Sequence, residues 1–182
     1  MTEVGLFSLF LFLHIGAAII AFGPTFTFPV IGGMGARDPM HANFAVRVTE
    51  ALEDKFVLPF AISMPFTGVG LIYFGHINLA DRSGWWLSLG IVLYVIALYI
   101  AVFVQRPTVQ HMVKITAGGP PPGAGPAGSA GLGGAAGGPG SGRPAGPPPE
   151  VVATARKIQR NGGILGLLIV LIVLLMIVRP QF

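Results

Sequence analysis

The chain has 182 residues, 53% of them hydrophobic and 10% charged, whereas a soluble domain carries about 25% charged residues; the balance suits a bilayer and argues against an ordinary water-soluble enzyme. Eleven Lys and Arg against seven Asp and Glu give a formal charge of +4, but the basic residues stand at the ends of apolar runs and form no patch for nucleic acid. Cysteine is absent, which removes disulfides, thiolate metal sites and a cysteine nucleophile.

The first apolar run, Val4 to Val30, carries only Ser8, His14, Thr25 and Thr27 as polar side chains. A secretory signal has a basic start and an apolar region of roughly 7–15 residues; the acidic start and longer run here predict a retained span. As a helix the run reaches roughly 40 Å against a hydrocarbon core of ~30 Å, so it must tilt or bend. Pro24 and Pro29 mark the bend, because each lacks an N–H and frees the carbonyl four residues earlier, those of Ile20 and Thr25. The following Gly-Gly-Met-Gly-Ala-Arg-Asp-Pro reads as a glycine-rich turn, with Asp38-Pro39 as an N-cap and first helical proline. From Met40 to Lys55 the pattern is helical, with Phe44, Val48 and Leu52 every four residues, and it runs directly into a second span, Phe56 to Gly75. That span contains Pro59, Pro65, Gly68 and Gly70. Such breakers survive in a membrane where neighbours satisfy the freed backbone, so the second span is expected to face protein.

After a polar turn from His76 to Gly84, the tryptophans Trp85 and Trp86 open a third span to Val104 as interface anchors. The helix is expected to resume after Arg106-Pro107 through Val109, Met112, Val113 and Lys114. Residues 117–149 are nearly all Gly, Pro, Ala and Ser and predict a disordered tether. Glu150 restarts a helix whose basic turn, Arg156, Lys157 and Arg160, precedes the last span, Gly162 to Val178. Gly162 and Gly166 form a small-xxx-small pair suited to close helix approach. The chain thus divides into 1–116, 117–149 and 150–182. Nine of the eleven Lys and Arg lie on the loop 1–2 and loop 3–4 side, which by the positive-inside rule places both loops in the cytoplasm and both termini outside. The expected fold is all-α: a four-transmembrane-helix up-down-up-down bundle with cytoplasmic helical extensions, N-out and C-out.

His14 is the residue whose position asks for a chemical explanation, because it lies roughly 15 Å into the first span. The neutral ring expected at that depth has one nitrogen free to accept a hydrogen bond or to ligate. Met64 and Ser63 in the second span and Tyr94 in the third lie at similar depth. Histidine with methionine is an axial pair for haem iron, which makes His14 and Met64 candidate haem ligands; Tyr94 and Ser63 are candidate hydrogen-bond partners. Both readings stay open, as does a proton or quinone role for His14. His76 falls at the outer end of its span, and His41 and His111 on the cytoplasmic side, so one chain has no second histidine at depth. His41 and His111 can approach Glu50, Glu53 and Asp54, but solvated charge at helix ends is the expectation there, and no metal site or catalytic residue is assigned. The spans hold no carboxylate, the usual mark of a coupled transporter, and the chain has no phosphate loop, HExxH or Rossmann fingerprint.

The segments FLHIGAAIIAFG, VLPFAISMPFTGVGLIYFG, the tryptophan-led third helix closing in VQRP and the final MIVRP resemble a family of predicted bacterial integral membrane proteins of unknown function. That family is distantly similar to the copper-resistance D membrane proteins and to the haem-dependent protoporphyrinogen oxidase, in which a first-helix histidine at the position of His14 ligates haem. The resemblance implies the bacterial cytoplasmic (inner) membrane as location. The third-helix lysine of the oxidase has no counterpart between Trp85 and Val104, a departure that speaks against oxidase activity. The expected function is that of a non-enzymatic integral membrane protein, an accessory or small subunit of a larger membrane assembly with lipid and other membrane subunits as partners; the alternative is a b-type haem protein.

Overall fold

The structure, a computed structural model, describes residues 3–79, 84–118 and 147–178. Among these residues it is all-helical, without strands, and four helical stretches are long and apolar enough to cross a membrane: Glu3–Arg37, Ala42–Phe74, Trp85–Thr116 and Pro149–Val178. They alternate in direction, as expected for an up-down-up-down four-helix arrangement. The tether from 119 to 146 lies outside the described residues, as do Arg82 and Arg179.

The first stretch comprises α1 (Glu3–Phe22), a 3-10 turn (Pro24–Thr27) and α2 (Phe28–Arg37). The helix changes type at Pro24, where the sequence predicts a bend, and two threonines bond back to carbonyls of the turn other than the Ile20 and Thr25 carbonyls that the prolines free. Thr25 Oγ1 donates to the Phe22 carbonyl at 2.6 Å and Thr27 Oγ1 to that of Pro24 at 2.7 Å. Beyond it the sequence reading is corrected. Gly32, Gly33 and Gly35 do not form a turn but continue the helix to Arg37. The reason is packing: a Cβ on Gly35 would lie 2.9 Å from the Cβ of Ala45, so the glycine lets α3 (Ala42–Leu52) approach α2 closely, and this contact outweighs low helix propensity. Between the two helices Asp38 Oδ1 accepts the Met40 N–H at 3.1 Å, the capping role read from the sequence.

Helix α3 continues through a π-helical turn, Glu53–Val57, into α4 (Leu58–Phe74); α5 (Trp85–Tyr99) likewise continues through a π-helical turn, Ile100–Gln105, into α6 (Arg106–Thr116). Each π turn ends two residues before a proline, Pro59 or Pro107. A proline cannot supply the N–H that the carbonyl four residues back requires, and the wider i to i+5 pattern is the local solution. The fourth stretch is a single helix, α7 (Pro149–Val178).

Within the membrane α1 packs on α4, and α5 on α7. Toward the loops, α2 packs on α3, α3 on α6 and α6 on α7, so the extensions form a continuous helical layer. Asn43 ties α3 to α6, donating from Nδ2 to the Val113 carbonyl at 3.1 Å and to Thr116 Oγ1 at 3.0 Å. Val109 and Met112 of α6 are buried in this layer, which accounts for the apolar periodicity beyond Arg106-Pro107. Glu3, His76 and Trp85 lie at one end of the bundle, the tryptophan end, and the helical layer lies at the opposite, basic end.

Candidate functional site

His14 lies on the face of α1 that meets α4. The contact is built from size differences. A Cβ on Gly70 would overlap the ring of Phe10, and one on Gly75 would stand 3.0 Å from Phe7. Ala17 and Ala21 are buried further along the same face. His14 sits beside Gly68, whose Cβ would touch the imidazole at 3.6 Å, so two glycines on α4 admit an aromatic ring each from α1.

The imidazole is held by Thr67. Its Nδ1 lies 2.8 Å from Thr67 Oγ1, and that hydroxyl donates to the Met64 carbonyl at 3.0 Å. A threonine hydroxyl has one proton. With it directed to Met64, Nδ1 carries the hydrogen and donates, and Nε2 keeps its lone pair. The Met64 carbonyl also lies within reach of the imidazole, and among the described residues no side-chain hydrogen bond to Nε2 is found. A histidine whose Nδ1–H is fixed by an oxygen and whose Nε2 is left open has the orientation found for metal-ligating imidazoles.

The other residues singled out from the sequence are placed differently. Ser63 donates to the Phe60 carbonyl at 2.8 Å. Tyr94 donates to the Ala61 carbonyl, four residues before Pro65 and therefore the oxygen that Pro65 leaves unpaired. Tyr94 thus repairs a broken helix in the neighbouring span. Met64 is buried and its carbonyl is the end of the His14 chain. His41 pairs with Asp38 at 2.7 Å, His111 with Glu150 at 3.1 Å, and His76 lies 3.7 Å from Glu3, so His41 and His111 do not meet. Among the described residues no group of three or more His, Cys, Asp or Glu side chains could hold a metal ion.

Sequence reasoning missed Thr67. The available signal was depth counted from the tryptophan end: Thr67 stands nine residues before His76, and His14 eleven after Glu3. It also missed the burial of polar groups at the basic end. Glu53, expected among solvated charges, is buried, as are Gln105, Thr108, Thr154 and Asn161. Arg106 Nε donates to Asp54 Oδ1 at 2.9 Å, linking the two π turns. Gln105 Oε1 and Asn161 Nδ2 are buried without a partner among the described residues.

Four apolar helices, a hydroxyl-held histidine between two of them and a polar layer at one end define a multi-span integral membrane protein. Residues 8–118 match the family described as predicted integral membrane protein DUF2269, and the chain belongs to that family. No curated protein and no solved structure matches it.

Proposed function

We propose that the protein is a non-enzymatic accessory subunit of a larger membrane assembly. The observation that carries this reading is the unused small-residue face of α7: Cβ atoms built on Gly162 and Gly166 would meet nothing within 4 Å. In a bilayer helices associate through close backbone approach at such positions, and among the described residues no other helix uses this one. Little of each span is covered by the others, with 11% of the apolar window of the first stretch buried, which leaves faces for other subunits. Orientation follows the basic residues, with both long loops in the cytoplasm of a bacterial inner membrane. The test is native size in mild detergent. The wild-type protein is expected to migrate as a complex larger than its own mass, and Gly162→Leu with Gly166→Leu to shift it to the single chain. A wild-type protein that migrates alone overturns the proposal.

A second reading is favoured by the open Nε2 of His14: ligation of b-type haem, which would supply one-electron or porphyrin chemistry. Gly68 and Ala17 keep the surroundings of the imidazole small. Met64, buried within the spans, is the candidate second ligand in this chain through its thioether sulfur. Absorption of protein purified after haem-sufficient expression decides this. A Soret band lost in His14→Ala supports ligation, and no Soret band in the wild type overturns it.

A further inference from the structure

A cleft of about 410 Å³ opens at the basic end between the α5–α6 junction and α7, lined by Phe103, Val104, Pro107, Thr108, His111, Thr154 and Lys157. Its position along the bundle is informative. Phe103 lies roughly 27 Å from the level of Trp85 and His111 roughly 39 Å at 1.5 Å per residue, so the cleft straddles the boundary of a ~30 Å hydrocarbon core.

Its two ends differ in chemistry. Toward the bilayer, the exposed ring of Phe103 packs against that of Tyr99 with centroids 5.1 Å apart, and both rings are exposed. They make an aromatic ledge continuous with the cleft. Toward the loops, Lys157 makes no ion pair among the described residues and stands beside the hydroxyl-bearing Thr154 and Thr108. Arg156 and Arg160 flank it on α7; among the described residues Glu150 is engaged by His111 at 3.1 Å, and Asp54, at the α5–α6 junction, is engaged by Arg106 at 2.9 Å.

We propose that this cleft binds the headgroup of an anionic phospholipid, with the phosphodiester at Lys157 and the Thr154 hydroxyl and an acyl chain along Phe103 and Tyr99. An inorganic phosphate ion would share the polar contacts but has nothing to place on the aromatic ledge, and a zwitterionic lipid would bring a cation to Lys157, Arg156 and Arg160. Basic pockets between membrane helices near the cytoplasmic leaflet are a recurring form of lipid recognition; what is specific here is a single cleft that offers a free ammonium and an apolar ledge on opposite sides of the membrane boundary.

The experiment is a titration of the full-length protein in a neutral detergent with short-chain phosphatidylglycerol, phosphatidylcholine and inorganic phosphate, read by native mass spectrometry. Phosphatidylglycerol is expected to bind at least tenfold more tightly than either other probe. Lys157→Gln is expected to weaken it at least fivefold, Lys157→Arg to restore it, and Arg47→Gln, on an exposed basic residue of α3, to change it less than twofold. Equal binding of the two lipids, phosphate binding as tightly as the lipid, or equal effects of Lys157→Gln and Arg47→Gln would each overturn the proposal. Lys157 is exposed, so its substitution leaves the buried layer intact.

Discussion

The α1–α4 contact in mid-membrane and the helical layer at the basic end solve the same problem, joining helices, with opposite means. In the first, glycines receive aromatic rings, and the polar side chains of His14 and Thr67 are committed to one hydrogen-bonded chain ending on a backbone oxygen. In the second, among the described residues, five polar side chains are buried, two of them with an atom that has no partner, around two π turns joined by Asp54 and Arg106. Lipid cannot replace a lost hydrogen bond, so the mid-membrane contact keeps its polar atoms few, and His14 Nε2 is the one left open in the His14–Thr67 chain. The basic end lies near water and headgroups and does not face that limit. Shape holds the first region, and the second has polar capacity to spare.

Substitutions should separate the two. The largest effect is expected for Gly70→Ala, whose Cβ overlaps the Phe10 ring: a loss of about 1–3 kcal/mol, measured by unfolding in mixed micelles and largely relieved when Phe10→Leu is added. Tyr94→Phe comes next. It leaves the Ala61 carbonyl without a donor and should cost about 1–2 kcal/mol. In a double-mutant cycle with Pro65→Ala, which returns the backbone N–H, the cost should largely vanish; an undiminished cost would show that Tyr94 does not act through that carbonyl.

At the basic end the sign should change. Asn161→Leu removes a buried donor that has no partner among the described residues, and the expected result is no loss of stability, or a gain of up to about 1 kcal/mol. A loss above that would mean that Asn161 is paired in the membrane. The smallest effect belongs to Asp38, whose carboxyl is held below its usual range by the hydrogen bond from His41. A depressed folded-state value stabilises the turn above the unfolded value, and the contribution is lost as pH falls through the folded one. The protection factor of the Met40 amide, its exchange rate divided into the intrinsic rate at the same pH, should therefore fall at acid pH in the wild type, and His41→Ala should flatten that dependence.

Much of the fold was legible because a bilayer imposes simple rules. Span number follows from apolar length, span ends from Trp85 and charged residues, and the break in the first helix from Pro24. What was not legible depended on tertiary contact. Gly35 reads as a turn residue until Ala45 is seen against it, and Glu53 reads as a solvated charge until the neighbouring helices cover it. His14 stood out by depth alone, but its partner did not, since Ser63, Met64, Thr67 and Tyr94 lie within about two turns of one another in depth and helix rotation chooses among them. The same rotation turned Tyr94 to the carbonyl freed by Pro65, a pairing that the proline announced without naming its donor.

The central claim is that the chain keeps a helix-packing face for another subunit, and the absence of cysteine makes a direct test simple. A single cysteine introduced as Gly166→Cys, treated with a short bifunctional thiol and amine reagent in native membranes, is expected to form a discrete cross-linked species. The same reagent on Leu171→Cys, an exposed position of α7 away from the glycine pair, should not. Cross-linking at neither position, or equally at both, would contradict the account.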